Sequence, residues 1–262
     1  MPSPSAPSPD ARRPVLVTRP EGRGERLVLL LEAEGLAAEH APLTRLVPLR
    51  GEGLDAAFAQ LTAGAFTHLV VTSRTAAECL GGVRVPPGTE VVAVGEGTAA
   101  ALAAAGIPTS RVTGGSGADL VASTAPAAEG ERVLFPASAA AARTVPDGLR
   151  ALGYRVQEVE AYRPEPVDPA LAVSVGLASG RYGAIVLTSP MIARRAADLG
   201  VHRSTAVITI GEPTSAAASA AGLAPVRQAA APTDEALVAA VREALAAPSA
   251  ADPAGASRPT HP

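Results

Sequence analysis

The sequence predicts an α/β protein made of two similar units, each built on a mostly parallel sheet. Short runs of Val, Leu and Ile alternate with helical stretches, an order typical of strand–helix–strand units. An internal repeat relates two parts of the chain. The 262 residues are enough for two domains of ordinary size. These three observations together predict a duplicated α/β fold.

Six apolar runs are predicted as strands, and four amphipathic or Ala-rich stretches are predicted as helices. The last helix has Leu237, Val238, Val241 and Leu245 on one face. The predicted strands are 15–18, 68–72, 90–94, 132–135, 184–188 and 206–210. The predicted helices are 24–33, 98–105, 146–152 and 234–246.

The repeat consists of short motifs that recur after 116 to 118 positions. Agreement of this kind over about 110 residues exceeds what an Ala-rich composition produces by chance, so it indicates duplication of one α/β unit. The matched motifs are Thr72-Ser73 with Thr188-Ser189, Gly95-Glu96 with Gly211-Glu212, Thr98 with Thr214, and Val15-Leu16 with Val133-Leu134.

Composition excludes several classes of chemistry. All 22 basic residues are arginine, so a Schiff-base lysine and a Walker phosphate loop are excluded. Aromatic residues make up 2%, and the net charge is −3, which disfavours a nucleic-acid partner. One cysteine, Cys79, and four histidines provide no material for a thiolate zinc site or a disulfide framework. We therefore expect no metal and a reducing compartment, with His40, beside a turn, solvated.

Both ends of the chain are rich in Pro, Ser and Ala and have no apolar core. Residues 1–13 and 248–262 are therefore predicted to be disordered tails, and the first of them does not have the pattern of a signal peptide. No stretch offers the roughly 20 apolar residues of a membrane helix, so no membrane partner is expected. These features predict a cytoplasmic protein.

Polar residues and glycines follow the predicted strands at their carboxyl ends. In an open parallel sheet, ligands bind there, because the next helix presents unpaired backbone N–H groups. The alternative is that each residue only caps its helix. Five such ends favour a cleft that binds a polyanion. The predicted substrate-binding residues of these ends are Thr18, Arg19, Thr72, Ser73, Arg74, Gly95, Thr98, Thr188, Ser189, Gly211, Thr214 and Ser215.

A set of short segments in a fixed order carries a resemblance to a known family. The segments are Val15-Leu16-Val17-Thr18-Arg19-Pro20, Gly24 with Leu27, 30–35, Pro42-Leu43, Thr72-Ser73, Val94-Gly95-x-x-Thr98, Val133-Leu134-Phe135-Pro136, 153–163, Thr188-Ser189-Pro190 and Ile210-Gly211-x-x-Thr214. Over about residues 14 to 246 they resemble the uroporphyrinogen-III synthase family. One departure is that Ala137-Ser138 follows Phe135-Pro136, where the family often has Arg-Gly. Ser138 is retained as a substrate-binding candidate of that loop.

The resemblance implies a lyase of haem biosynthesis that uses no cofactor. Its substrate would be the linear tetrapyrrole polycarboxylate hydroxymethylbilane, which loses water, inverts its terminal pyrrole ring through a spiro intermediate and closes to uroporphyrinogen III. Because the same molecule also closes spontaneously without inversion, positioning would be the main catalytic effect. A thousandfold preference needs only ~4 kcal/mol. The resemblance also implies a monomer that contacts the preceding enzyme of the pathway transiently.

The resemblance further implies two flavodoxin-like parallel-sheet domains, derived from the internal duplication and joined by two extended linkers. One domain would hold residues 14–45 plus 163–247 and the other 46–162, with the active cleft where they face each other. The repeat alone would instead divide the chain once, near residue 130. The Pro-marked segments 42–48 and 159–166 favour two crossings between the domains.

Tyr162 is the catalytic residue that the resemblance predicts. It occupies the family position of a tyrosine thought to face the cleft, and its phenol can hydrogen-bond or protonate the departing hydroxyl. The alternative interpretation is a linker tyrosine packed against one domain.

Two other functions remain open from the sequence. The first is a two-lobed sensor that binds a small molecule without catalysis. The second is a flavodoxin-like carrier in which residues 113–117, Thr-Gly-Gly-Ser-Gly, form a phosphate loop.

Overall fold

A computed structural model describes residues 13–246 of the chain. Most of the two predicted tails, residues 1–12 and 248–262, lies outside this range. Arg13 is a correction to the first tail, because its guanidinium donates to the carbonyl of Gly180 at 2.8 Å and to that of Ser204 at 2.9 Å. Arg13 therefore belongs to the folded part of the chain.

The elements alternate between strands and helices along the chain, with few exceptions. The strands are β1 (Val15–Val17), β2 (Ala38–His40), β3 (Thr44–Pro48), β4 (His68–Val71), β5 (Glu90–Val94), β6 (Arg111–Thr113), β7 (Arg132–Ser138), β8 (Arg155–Pro166), β9 (Ala184–Leu187), β10 (Ala206–Thr209) and β11 (Pro225–Gln228). The helices are α1 (Glu25–Ala33), α2 (Glu52–Thr62), α3 (Arg74–Cys79), α4 (Glu96–Ala104), α5 (Gly117–Ala122), α6 (Thr144–Ala151), α7 (Leu171–Ser179), α8 (Pro190–Leu199), α9 (Glu212–Ala220) and α10 (Asp234–Ala246).

The chain divides into two compact units, each with its own sheet. The first unit takes the chain up to Arg45 and again from Pro166, and the second unit is Leu46–Glu165. The second boundary between the units falls after Glu165, three residues later than the boundary after Tyr162 that the family resemblance implies.

The sheet of the first unit has the order β11-β10-β9-β1-β2, and its neighbouring strands are parallel. Strand β1 is apolar throughout because both faces of the sheet are covered by helices. Val15 and Val17 pack with α1 and α10, whereas Leu16 packs with residues of α7 and α8 on the other face. Counted along the unit, this strand order is the 2-1-3-4-5 order of flavodoxin-like sheets.

The sheet of the second unit has the order β3-β8-β7-β4-β5-β6. From β8 through β7, β4 and β5 to β6, each strand is parallel to the next. Helices α2, α3 and α4 cover one face around Leu69 and Val71, and α5 with α6 covers the other around Val70. If β7 and β8 are counted first and β4, β5 and β6 next, the order again reads 2-1-3-4-5. The repeated sequence motifs fall on the strands that match in this way, β1 with β7 and β9 with β4.

The strands that the sequence did not predict as strands lie at or next to the edges of the two sheets. Strands β2 and β11 are the edges of the first sheet, and β3 and β6 are the edges of the second. Edge strands are covered less completely than central ones, so they lack the continuous apolar run of a buried parallel strand. Strand β8 lies next to the edge, and the sequence predicted part of it only as an extended crossing between domains. It is held in the sheet next to β3, where the Leu49 amide donates to the Ala161 carbonyl at 2.8 Å.

Within residues 13–246, no helix has the length and apolar character needed to cross a membrane.

Candidate functional site

The densest group of predicted site residues lies at the carboxyl ends of four neighbouring strands in the second unit, β8, β7, β4 and β5. Because these strands are parallel, their carboxyl ends meet at one edge of the sheet. Tyr162 lies in β8 and pairs in register with Ser138, the last residue of β7. Ser73 follows β4, and Gly95 follows β5.

The ring of Tyr162 packs in the core of the second unit, and its hydroxyl lies at this edge of the sheet. Its side chain is only 9% exposed and packs in the cluster formed with α2 and α3. Its hydroxyl lies 3.0 Å from the Ser73 hydroxyl, and either oxygen can be the donor. Its carbonyl accepts a hydrogen bond from the Ala139 amide at 2.9 Å. The phenol therefore spans the end of β7 and bonds to the residue that follows β4.

Ser73 is also the N-cap of α3. Its backbone is extended, and its hydroxyl oxygen accepts a hydrogen bond from the Ala76 amide at 3.1 Å. This bond satisfies one of the amides that a helix start leaves unpaired. Thr72, the residue before it, is half-buried. Helix capping and contact with the predicted catalytic tyrosine thus coexist in one side chain.

Ser138 ends β7 at an irregularity of the sheet. The register between β7 and β8 shifts between Ala137 and Ser138. The Ser138 hydroxyl accepts a hydrogen bond from the Ala140 amide at 3.1 Å and so closes a short turn. The loop that departs from the family pattern is thus held by its own serine.

At the start of α4, Arg74 contributes a positive charge and Gly95 contributes an accessible stretch of backbone. Arg74 is exposed, and its Cδ lies 3.5 Å from the position that a Cβ on Gly97 would take. Gly95, the N-cap of α4, has a φ of 77°, in the left-handed region that glycine tolerates best. Thr98 differs from the prediction, because it lies in the first turn of α4 with its side chain buried.

Thr18 directly follows β1 in the first unit. This residue is fully buried, and its hydroxyl donates to the Val186 carbonyl at 2.6 Å. The bond ties the end of β1 to β9. Thr18 is therefore a correction to the predicted set, because its one proton is already used inside the sheet.

Arg19 is held in an ionic cluster at the start of α10. Its guanidinium lies 2.7 Å from Asp234, and the two side chains are 15% and 10% exposed. The other carboxylate oxygen of Asp234 lies 3.3 Å from Arg26. His40 was expected to be solvated, but its Nε2 lies 2.9 Å from the Arg19 carbonyl, and a Cβ on Gly24 would come within 2.4 Å of its ring. His40 therefore fixes the backbone that carries Arg19.

Thr188 and Ser189 end β9 in the same manner as Thr72 and Ser73 end β4. Both are half-buried, and Ser189 caps α8 by accepting a hydrogen bond from the Ile192 amide at 3.2 Å. Pro190 occupies the first turn, where the missing amide costs nothing.

At the start of α9, the backbone of Gly211 faces open space, whereas the hydroxyl of Ser215 is engaged in hydrogen bonds. Gly211 has an extended backbone, and no heavy atom lies within 4 Å of the position of an added Cβ. The Ser215 hydroxyl lies 2.7 Å from the hydroxyl of Thr209 and donates to Gln228 at 2.7 Å. Thr214 is 2% exposed and so, like Thr98, does not offer its side chain at the surface.

The Thr-Gly-Gly-Ser-Gly loop before α5 is hydrogen-bonded to the carboxylate of Asp119, in the first turn of that helix. The Asp119 carboxylate accepts from the Ser116 amide at 3.2 Å and the Ser116 hydroxyl at 2.7 Å, and the Asp119 amide donates back to Ser116. A negative charge already sits where a phosphate would bind. This capping box contradicts the phosphate loop required by the carrier hypothesis.

An open depression of about 530 Å³ lies at the opposite end of the second sheet, where β7 and β8 begin. It is lined by Arg132, Arg150, Tyr154, Arg155, Val156 and Gln157, and no predicted site residue contributes to it. In the part of the chain that the structure describes, no group of His, Cys, Asp and Glu could hold a metal ion.

The family of the chain follows from comparison with known proteins. A family model described as uroporphyrinogen-III synthase HemD matches residues 25–239, most of the chain. The chain belongs to the uroporphyrinogen-III synthase family. This membership implies an enzyme of haem biosynthesis. A protein of Methanothermobacter thermautotrophicus named "Putative uroporphyrinogen-III synthase" is 28% identical over 205 residues, which cover 74% of this chain and 80% of that protein.

Solved structures of uroporphyrinogen-III synthases share the fold. A mutant enzyme from the extremely thermophilic bacterium Thermus thermophilus is 18% identical, with a TM-score of 0.57, covering 89% of this chain and 98% of that one. The enzyme from Helicobacter pylori is 15% identical, with a TM-score of 0.59, covering 88% and 99%. These likenesses confirm the predicted α/β fold with predominantly parallel sheets.

Sequence reasoning missed the residues that hold the candidates in place. Asp234 and His40 fix Arg19, and Gln228 engages Ser215. Asp234 is the first residue of α10, where a carboxylate is favoured by the helix dipole, and that position was the one available signal. Asp234 lies far from Arg19 along the chain, and Gln228 lies in a different strand from the turn of Ser215, so no local pattern reveals either contact.

Proposed function

We propose that this chain is a lyase that converts hydroxymethylbilane into uroporphyrinogen III. The terminal hydroxyl leaves as water, the last pyrrole ring inverts through a spiro intermediate, and the macrocycle closes. The observation that carries the proposal is the Tyr162 hydroxyl, held 3.0 Å from Ser73 at the strand ends of a chain that belongs to this family.

Tyr162 is proposed to protonate the departing hydroxyl. Loss of hydroxide from a pyrrole-substituted carbon is assisted by the electron-rich ring, and a proton delivered to the leaving oxygen completes water. The tyrosine suits this task because its ring is packed in the core and its hydroxyl reaches the strand ends. The reaction neither oxidises nor reduces the substrate overall, so the proposal invokes no cofactor.

In the second unit, the substrate carboxylates are proposed to contact Arg74 and the backbone beside Gly95. A helix start offers unpaired amides and the positive end of a dipole, which favour anions. The exposed Arg74 adds a full positive charge beside the same turn. Thr72 and Ser138 lie at the neighbouring strand ends and complete the proposed polar surface of this unit.

In the first unit, the starts of α8 and α9 are proposed as further carboxylate sites. Gly211 supports this because open space lies over its backbone. Thr188 and Ser189 support it because they remain half-exposed at the end of β9. Arg19 is proposed to contribute through the exposed part of its guanidinium while Asp234 holds it.

We also propose that the two units are domains descended from one duplicated ancestor. The matching 2-1-3-4-5 strand orders and the motifs on matching strands support this origin. The segments 42–48 and 159–166, which include β3 and the last part of β8, would be the two extended linkers. The enzyme is proposed to act in the cytoplasm as a monomer.

The test is the isomer composition of the product. Hydroxymethylbilane, generated by the preceding enzyme of the pathway, is incubated with the purified chain, and the products are oxidised and separated by chromatography. The proposal expects the type III isomer in excess. Type I alone, at the rate seen without the chain, would contradict the proposal and leave the sensor hypothesis.

A further inference from the structure

The Ser73 side chain takes part in two hydrogen bonds at once, one to a helix start and one to the proposed acid. We propose that Ser73 is a positioning residue that donates its proton to the Tyr162 oxygen and so leaves the phenol proton free for the departing hydroxyl. This inference rests on the proposed function and changes the predicted role of Ser73, which was to bind substrate.

Counting donors and acceptors permits the proposed direction of the bond, in which Ser73 donates to Tyr162. A serine hydroxyl has one proton to donate and can accept hydrogen bonds. The Ala76 amide can only donate, so the Ser73 oxygen is the acceptor in that bond at 3.1 Å. That bond leaves the Ser73 proton to be donated elsewhere, and the Tyr162 oxygen, 3.0 Å away, is an acceptor within its reach. In the opposite arrangement the phenol proton would be spent on Ser73, and the phenol would have none to give.

The chain of bonds also favours loss of the phenol proton. Hydrogen bonds that run in one direction polarise one another, so a hydroxyl that accepts a bond is a stronger donor. Here the chain begins at an amide of α3 and ends at the phenol. As Tyr162 gives up its proton, the bond from Ser73 strengthens, because bonds to charged groups are the stronger ones.

The ring of Tyr162 does not need Ser73 for its placement. It is 9% exposed in the apolar cluster, and the backbone on both sides is bonded, through the Ala161 carbonyl to the Cys79 thiol at 3.4 Å and through the Tyr162 carbonyl to the Ala139 amide at 2.9 Å. What remains to be set is rotation of the hydroxyl proton. Beyond its capping of α3, Ser73 is therefore expected to act on the chemical step rather than on the placement of the Tyr162 ring.

The duplicated sequence offers an internal comparison. Ser189, 116 positions after Ser73, caps α8 with a similar bond of 3.2 Å to the Ile192 amide. The position 118 residues before Tyr162 is Thr44, which is buried and has no phenol. A capping serine therefore does not by itself bring in a tyrosine, and the contact is a feature of the second unit.

The experiment compares Ser73→Ala and Ser73→Thr with Ser116→Ala as a matched control. Ser116 is also an N-cap of a short helix in the second unit, and its bond to the Asp119 amide is 3.1 Å. Both alanine variants should lower the melting temperature by a few degrees. In the isomer assay, Ser73→Ala should lower kcat about 10-fold with KM unchanged, Ser73→Thr should restore kcat, and Ser116→Ala should match the wild type.

A second arm uses the Tyr162→Phe background. Once the phenol is gone, Ser73→Ala should have no further effect on kcat, because its target is absent. An undiminished effect in that background would overturn the inference, as would a raised KM with unchanged kcat or a kcat of Ser73→Ala equal to that of the wild type. Failure of the wild-type chain to form type III would instead overturn the proposed function, so the two failures are distinguishable.

Discussion

Tyr162 combines two demands in one side chain. Its ring fills the core beside α2 and α3, and its hydroxyl lies at the edge of the sheet against Ser73. Packing of the ring fixes the position of the hydroxyl, whereas an acid on a long flexible side chain would move. A fixed position is what a catalytic acid requires. The residue thus links the stability of the second unit to the proposed chemistry.

Replacing Tyr162 by Phe should separate these two roles. The ring remains, so the free energy of unfolding should change by about 1 kcal/mol or less. The rate of type III formation should fall about 10- to 100-fold, because one positioned acid is lost. Stopped assays with chromatographic separation of isomers measure the rate, and circular dichroism during urea unfolding measures stability. A variant with full activity would remove Tyr162 from the mechanism.

Tyr182 shows the same residue type in a purely structural role. It is fully buried in the first unit, and its hydroxyl donates to Glu39 at 3.1 Å. Burial first, and the nearby Glu39 carboxylate second, raise the pKa of Tyr182 from 10.0 to about 12. The neutral phenol is therefore the form that the folded chain favours.

This shift predicts a loss of stability in alkali. Because the folded pKa lies above the unfolded one, the contribution of Tyr182 is complete below pH 10 and is lost as the pH rises through about 12. The loss should be no more than about 2 kcal/mol, since Glu39 is partly exposed and solvent screens its charge. Urea unfolding at pH 9 and 11 measures the first part of this loss. Tyr182→Phe should flatten the dependence, and an equal slope in both proteins would assign the loss to other groups.

At the scale of elements, the starts of the helices after β4, β5, β9 and β10 carry the candidate site. Serine caps two of them, at α3 and α8, and glycine precedes the other two, at α4 and α9. The two glycines differ, because Gly95 has a φ of 77° whereas Gly211 is extended and could be any residue on backbone grounds. Gly211 is therefore the better position for testing whether a ligand approaches the backbone.

Gly211→Val should fold normally and yet impair the reaction. No heavy atom lies within 4 Å of the added Cβ, so the side chain enters open space, where it would block a carboxylate from the amides of α9. We expect KM to rise about 10-fold or more, since one charge-assisted contact is lost. Gly88→Val is the control, because that glycine is also open and lies in the turn before β5, at the opposite end of the strand from the candidate site. Equal KM values in both variants would make Gly211 an ordinary turn residue.

Two adjacent acidic residues at the start of α10 are expected to contribute unequally to the stability of the protein. Asp234 is 8% exposed and pairs with Arg19 and Arg26, whereas Glu235 is exposed and pairs with Arg26. Asp234→Asn should cost about 1 to 3 kcal/mol, because it leaves a poorly hydrated guanidinium without its counter-ion. Glu235→Gln should cost less than about 1 kcal/mol, as exposed ion pairs do. Urea unfolding measures both, and equal costs would mean that solvent already screens the inner pair.

At the scale of the whole molecule, the sequence predicts the buried strands, because each is marked by a local run of apolar residues. The six predicted strands are central or lie beside the core, and each is found close to its predicted bounds. The edge strands, such as β2 and β6, have three residues each and no apolar run, so pattern alone does not reveal them. The residues of the strand ends were identifiable because they follow apolar runs.

The role of each strand-end residue was harder to predict than its location. Thr18, Thr98 and Thr214 have the right position, but their side chains are buried. Burial depends on contacts between distant segments, such as that of Thr18 with Val186. The Ser73–Tyr162 bond joins residues 89 positions apart, so no local pattern could predict it.

The central claim is that this chain directs hydroxymethylbilane to the inverted ring closure. The most direct measurement is the fraction of type III isomer formed at increasing concentrations of the chain, with a fixed supply of substrate. Spontaneous closure gives type I at a constant rate, so the account predicts that the type III fraction rises with concentration until type I nearly disappears. A fraction that stays at its enzyme-free value at every concentration would contradict the account.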